Sequence, residues 1–172
     1  MTEFHDLVER EIPRLRRYAR ARTRSADRAD DLVQDTLLRA IAKAHLWQPG
    51  TDLRAWLFTV MHNQHVNAVR RAMRDDSAID IEQVSSSLVA TTDPTGARQL
   101  QELGQALDCL PDEQREVILL VGLEGMSYET AAEVLSVPVG TVRSRLSRGR
   151  DALRRLMGLP PRAEPEAKPV AA

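Results

Sequence analysis

The clearest chemical pattern in the chain is a short run of arginines and serines. Arg143, Ser144, Ser147 and Arg148 fall within six positions of one another, with Gly140 and Thr141 just ahead of them. At about 100° per residue a helix places Gly140, Ser144 and Ser147 on one side, flanked by Arg143 and Arg148. Arginine makes bidentate bonds to a guanine edge, serine reaches a base or a phosphate, and small side chains let the backbone approach. The opposite side carries Val142, Leu146, Gly149, Leu153 and Leu156 at alternating steps of four and three, a single apolar stripe. Two readings fit this helix: the front of a DNA-recognition helix, or an amphipathic helix with a solvated basic face.

The elements that would position this helix lie immediately before it. The stretch Ser127 to Met157 reads as two helices and a tight turn. The first spans about Tyr128 to Leu135, with Ser127 as N-cap and Glu129 in the first turn, where the helix dipole favours an acid. Ser136-Val137-Pro138 ends it, and Pro138 opens the next helix, where a missing N–H costs nothing. Upstream, a helix from Asp93 or Thr95 to about Leu110 carries Leu100, Leu103, Leu107 and Leu110 on one face. Pro111 opens another, which ends near Glu124-Gly125. These two helices are expected to pack with the helix-turn-helix as one four-helix unit.

The N-terminal half holds three helical stretches. Glu3 to Arg22 is rich in arginine, and Pro13 is expected to kink or split it. Asp27 to about His45 has Leu32, Val33, Thr36, Leu37, Ala40 and Ile41 as its core face. Its polar remainder, Asp30, Asp31, Gln34, Asp35 and Arg39, is a solvated face or a docking surface. Trp47 to Thr51 is a loop marked by Pro-Gly. Asp52 then caps a helix over Leu53 to Arg74, whose outer side carries Asn63, Asn67, Arg70, Arg71 and Arg74. Asparagine is a poor helix former, so two of them beside an arginine cluster invite a base contact, although ordinary surface asparagine is the simpler reading.

Charge and composition narrow the function. The chain has 172 residues and a net charge of −1, distributed unevenly. Met1 to Arg74 carries 14 basic and 9 acidic residues, and Asp75 to Thr95 carries 5 acids and no base. Six of the 8 basic residues between Gly96 and Gly158 lie in Arg143 to Arg155. Two local basic surfaces are the electrostatic footprint of a nucleic-acid binder. Cys109 is the only cysteine, which excludes an internal disulfide, and beside Leu107 and Leu110 it reads as a small core residue. His62 and His65 have metal-compatible spacing but no acidic or cysteine partner nearby in sequence. There is no Gly-rich phosphate loop, nucleophile elbow or carboxylate pair, so neither catalysis nor a cofactor is expected. No apolar run approaches membrane-spanning length and no signal peptide opens the chain, which implies a cytoplasmic protein.

Taken together, ADDLVQDTLLRA, DLRAWLFTVMHNQHVNAVRR and the stretch LPDEQREVILLVGLEGMSYETAAEVLSVPVGTVRSRLSRGRDALRR resemble an extracytoplasmic-function sigma factor of bacterial RNA polymerase. The resemblance covers about Glu3 to Met157. It implies an all-α protein of two small helical domains: a region 2 bundle over 1–74 and a region 4 helix-turn-helix domain over 96–158. A flexible acidic linker over 75–95 would join them, and 159–172 would be a disordered tail. It further implies that Asp31, Gln34 and Asp35 contact the clamp helices of the polymerase largest subunits, with region 4 on the flap. Trp47 to Asp52 matches the loop that captures a flipped minus-ten base, with Trp47, Asn63 and Asn67 in the pocket and Arg70 and Arg71 nearby on the DNA side. Thr141, Arg143, Ser144, Ser147 and Arg148 match the minus-thirty-five readers. Two positions depart from the family pattern: Ser136 replaces the usual turn glycine, and Trp47 is larger than the usual aromatic. QPGTDLRAWLF and LPDEQREVILLVGLEGMSYE also resemble the alphaproteobacterial general-stress-response subgroup, which implies a small helical anti-sigma partner. Two other classes stay open: a stand-alone helix-turn-helix regulator, and an interaction protein that binds polymerase or an anti-sigma factor without reading DNA.

Overall fold

The computed structural model describes residues 2–74 and 94–161. Residues 75–93 and 162–172, on which most of the expected linker and tail fall, lie outside the described residues. Among the described residues every regular element is helical. The α-helices are α1 Thr2–Thr23, α2 Ala26–Ala42, α3 Leu53–Arg74, α4 Pro94–Asp108, α5 Asp112–Ile118, α6 Tyr128–Leu135 and α7 Val139–Leu156. A 3₁₀ turn at Ala44–Leu46 follows α2, and a π-helical segment at Leu119–Leu123 extends α5.

Helices α1 to α3 form the first unit. Leu15, Tyr18 and Ala19 of α1 are buried with Leu32, Val33 and Ala40 of α2 and with Leu57, Phe58 and Met61 of α3. The Tyr18 and Phe58 rings meet edge to face, 5.0 Å apart. Each large apolar side chain buried this way contributes about 1.5–3 kcal/mol. Pro13 does not split α1, which runs unbroken through it. Pro13 is exposed, so the carbonyl it leaves unbonded can face water, while Leu15 and Tyr18 one turn later stay locked in the core. On α2 the expected core face holds at Leu32, Val33, Thr36 and Ala40, but Ile41 is 47% exposed. It lies at the end of α2, where the chain turns away.

Helices α4 to α7 form the expected four-helix unit. Leu107, Leu110, Val117, Leu120, Val134, Leu135, Val142 and Leu146 are among its buried residues. Ser127 Oγ accepts from the Thr130 amide at 3.0 Å, capping α6. Buried Arg115 closes the other end of α4: its Nε donates to Leu107 O at 2.9 Å and an Nη to Leu110 O at 3.0 Å. A cation on the last carbonyls also suits the helix dipole. Cys109 departs from expectation: it is exposed, because Leu107 and Leu110 on either side of it take the buried positions.

The two units pack together, with α3 against α6 and α1 against the π segment, and their buried apolar residues belong to one contiguous cluster. Charged pairs cross the boundary. Arg22, only 3% exposed, donates to both carboxylate oxygens of Asp112, at 2.6 Å for Oδ2, and lies 3.5 Å from Glu116. Glu116 Oε1 is hydrogen-bonded to His62 Nδ1 at 2.6 Å. Buried Glu124 sits 3.0 Å from Arg17 and 3.9 Å from Arg54, and Arg24 is 3.0 Å from Asp108. Burial works against the Arg22 cation, but Asp112 and Glu116 outweigh it and hold it more firmly protonated than usual. A buried charge stripped of its partner costs about 3–5 kcal/mol. These pairs therefore commit the two units to one relative register.

Candidate nucleic-acid interface

The geometry of α7 follows from three local features. Ser136 ends α6 in the left-handed conformation, φ 54° and ψ 45°, and its amide bonds back to Glu133 O. This is the turn position at which the resemblance leads to an expectation of glycine. Pro138 then sits at the N-cap of α7 with φ −61°. Further along, Gly149 faces α5 so closely that a Cβ would lie 2.6 Å from Ile118 Cδ1. The expected stripe is therefore real at Val142, Leu146 and Gly149, all buried.

On the opposite side Arg143, Ser144, Ser147 and Arg148 are all exposed, and Thr141 is half-buried. Ser144 Oγ donates to Thr141 O at 3.0 Å, which leaves its lone pairs outward. Among the described residues neither Arg143 nor Arg148 forms an ion pair, so both guanidinium groups are available. Arg145, between them in sequence, is different: it reaches Glu113 on α5 at 3.1 Å. It tethers α7 to α5. The local signal was the acid pair Asp112-Glu113 opening α5, whose distance from Arg145 in sequence hid the contact.

On α3, Asn63, Asn67, Arg70 and Arg71 are exposed along one side. Arg71 Nε donates to Asn67 O at 3.4 Å and Arg74 Nε to Arg70 O at 3.3 Å, which lays both side chains along the helix. Asp52 Oδ1 accepts from the Ala55 amide at 3.0 Å, the expected cap. Trp47 lies at the other end of α3. Its ring is 5.5 Å from Phe4, and its Nε1 is buried with no hydrogen-bond partner among the described residues. At 1.5 Å per residue, Asn63 and Asn67 are about 15 and 21 Å along α3 from Leu53. Trp47 and the asparagines thus occupy separate stations on one helix-bounded surface.

Asp31, Gln34 and Asp35 are exposed on α2, and Leu38, 61% exposed, continues their stripe toward Ile41. Asp31 and Asp35 form one wall of a groove of about 990 Å³, and Val69, Arg71 and Met73 of α3 form part of the other. The described residues contain no group of three His, Cys, Asp or Glu side chains that could hold a metal ion. No described helix is long and apolar enough to cross a membrane.

Two family profiles match the chain: the sigma2 domain of PhyR over residues 8–62 and region 4 of sigma-70 over residues 100–153. The ECF RNA polymerase sigma factor EcfG of Rhodopseudomonas palustris (strain TIE-1) is 42% identical over 146 residues, covering 85% of this chain and 80% of the relative. The sigma factor CarQ of Myxococcus xanthus is 30% identical, covering 90% and 89%. Among solved structures, the sigma factor RpoE in complex with the anti-sigma factor NepR from Bartonella quintana superposes with a TM-score of 0.78 at 35% identity, covering 92% of this chain and 98% of that one. The sigma-type first unit, the region 4 helix-turn-helix and these relatives agree: the chain belongs to the extracytoplasmic-function sigma factors, the bacterial initiation factors that bring core RNA polymerase to promoters.

Proposed function

We propose a division of labour within that role. Asp31, Gln34 and Asp35 on α2 dock the clamp helices of core polymerase, with region 4 seated on the flap. The loop from Trp47 to Asp52, with Asn63, Asn67, Arg70 and Arg71 on α3, engages the minus-ten element. Thr141, Arg143, Ser144, Ser147 and Arg148 on α7 read the minus-thirty-five element. The observation that carries this reading is Arg143 and Arg148, without an ion-pair partner among the described residues and exposed on a helix whose other side is core. Flipping a base from the stack costs a few kcal/mol, a step suited to the polar and aromatic surface along α3. The test is transcription by core polymerase plus this protein on genomic fragments. Discrete start sites absent with core polymerase alone are expected, and none at all would remove the assignment.

The partner and setting extend the same reading. The relatives EcfG and the NepR-bound RpoE favour membership of the general-stress-response subgroup, with a small helical anti-sigma protein that covers both units. The protein acts in the cytoplasm, without catalysis and without a cofactor. A stand-alone helix-turn-helix regulator would put a sensor domain where this chain has its region 2 unit. Co-purification from the native host in unstressed cells should yield an anti-sigma protein, and recovery with polymerase alone would contradict this.

A further inference from the structure

Phe4 bridges the loop that begins at Trp47 and the helix that carries Asn63 and Asn67. It lies in the first turn of α1 and is only 8% exposed. Its ring is 5.5 Å from that of Trp47, tilted by 46°, and 6.2 Å from that of Trp56, at 71°. Trp56 stands in the first turn of α3. Tilted and edge-to-face aromatic pairs at such separations attract each other beyond the area they bury. Along α3, Trp56, Asn63 and Asn67 follow one another at steps of seven and four. At about 100° per residue they fall within about 20° of one line. The contacts from Trp47 through Phe4 to Trp56 therefore lead onto the stripe that holds the two asparagines.

The apex of the loop is held by its own bonds. Thr51 donates to Gln48 O from its amide at 3.1 Å and from its hydroxyl at 2.7 Å, and Gly50 takes φ 90°. None of these bonds fixes the Trp47 side chain. Its Nε1 is buried without a hydrogen-bond partner among the described residues. A buried donor with no acceptor favours turning the indole out to water. Burial of the ring against Phe4 opposes that turn, and it prevails while the partner ring is in place. With Phe4 shortened the balance reverses: the indole loses its apolar partner and its N–H gains water.

Building on the minus-ten role of this surface, we propose that Phe4 is a positioning residue for base capture: from the first turn of α1 it clamps Trp47 against Trp56 and so holds the loop in register with the line of Asn63 and Asn67. Phe4 is itself buried, so it acts through Trp47 rather than on DNA. The first turn of α1 thereby belongs to the minus-ten site, although it is more than 40 positions from the loop in sequence.

The test has a structural and a functional arm, both on the full chain. The chain holds two tryptophans, so Trp56→Phe leaves Trp47 as the sole emitter and keeps a ring against Phe4. In that background, acrylamide quenching of the free protein should rise severalfold in Phe4→Ala and return close to its starting value in Phe4→Leu. With core polymerase, affinity is measured for promoter fragments pre-opened over the minus-ten element, intact or with an abasic site at each minus-ten position in turn. In the wild type an abasic site at the captured position should weaken binding about tenfold, the equivalent of one lost base–aromatic contact. Phe4→Ala should bind the intact fragment about as weakly as the wild type binds the abasic one, and should lose nothing further when the base is removed. Phe4→Leu should restore most of the difference. A merely structural role would weaken both fragments alike and keep the wild-type ratio between them, which would overturn the proposal, as would unchanged quenching. Circular dichroism confirms folding, and Phe4→Val serves if Phe4→Ala does not fold. If no abasic position weakens the wild type, the base-capture reading itself falls and the positioning role with it.

Discussion

Gly149 of α7 and Ile118 of α5 approach so closely that a Cβ on the glycine would lie 2.6 Å from Ile118 Cδ1 and 3.3 Å from Gln114 Cβ. The glycine is the point at which the recognition helix is seated on the region 4 core. The methyl group of Gly149→Ala meets the mobile end of Ile118 and gains about 1 kcal/mol in helix propensity, so a small net change is expected. Gly149→Leu has no such relief and should lower stability by about 1–3 kcal/mol or more. Urea denaturation checks both, and a neutral leucine variant would contradict the close crossing.

Ser136 adopts φ 54° at the C-cap of α6, a conformation that is unfavourable for any residue with a Cβ. Ser136→Gly should therefore raise stability by about 0.5–1 kcal/mol, the strain relief exceeding the added entropy of the unfolded chain. A higher thermal midpoint with unchanged minus-thirty-five selectivity is the expected result. A lower midpoint would mean that the serine stabilises the turn by a contact of its own.

Arg143 and Arg148 project from α7 without an ion-pair partner among the described residues, whereas Arg145 is tied to Glu113. Replacing a base-reading arginine by alanine should cost about 1–3 kcal/mol and relax selectivity at one base pair. Holoenzyme binding to a panel of minus-thirty-five variants separates the cases. A uniform loss over all sequences would assign the residue to phosphate. Arg145→Ala should act on the stability of region 4 rather than on selectivity.

The helix-turn-helix was legible in the sequence because its signals are local. The Ser127 cap, the left-handed Ser136, Pro138 and the stripe through Val142, Leu146 and Gly149 each act within a few residues. The contact between the units was not legible. Arg22 and Asp112 are 90 positions apart, and Arg17 and Glu124 are 107 apart. An arginine or a glutamate on an amphipathic helix looks the same whether it meets water or a distant opposite charge. His62 read as a weak metal candidate for the same reason, since its partner Glu116 lies on α5. Cys109 misled because its neighbours Leu107 and Leu110 are the buried pair.

His65 lies in the groove beside the charged cluster. Burial, and then the nearby Arg22 cation, hold its imidazole below its ordinary value. The unfolded chain therefore takes up a proton near pH 6.5 that the folded chain refuses until lower pH. The contribution is intact above about pH 6.5 and is lost as pH falls toward the folded value, so stability should rise with pH through that window. His65→Gln should flatten this slope in urea melts at successive pH values. An unchanged or reversed slope would contradict the burial of the neutral ring.

In the proposed division of labour, promoter recognition belongs to the complex of this chain with core polymerase. The recognition helix carries few cations, so either unit alone should bind DNA weakly and lose that binding as salt rises. Asp31 and Asp35, exposed on α2, are the residues proposed to anchor the chain on polymerase. The most direct measurement is fluorescence anisotropy of promoter DNA near physiological salt, with the protein alone, with core polymerase, and with Asp31→Arg/Asp35→Arg plus core polymerase. Specific binding should emerge only on addition of core polymerase and vanish in the folded double variant. Tight, sequence-specific binding by the isolated chain, unaffected by polymerase or by the double variant, would contradict the account.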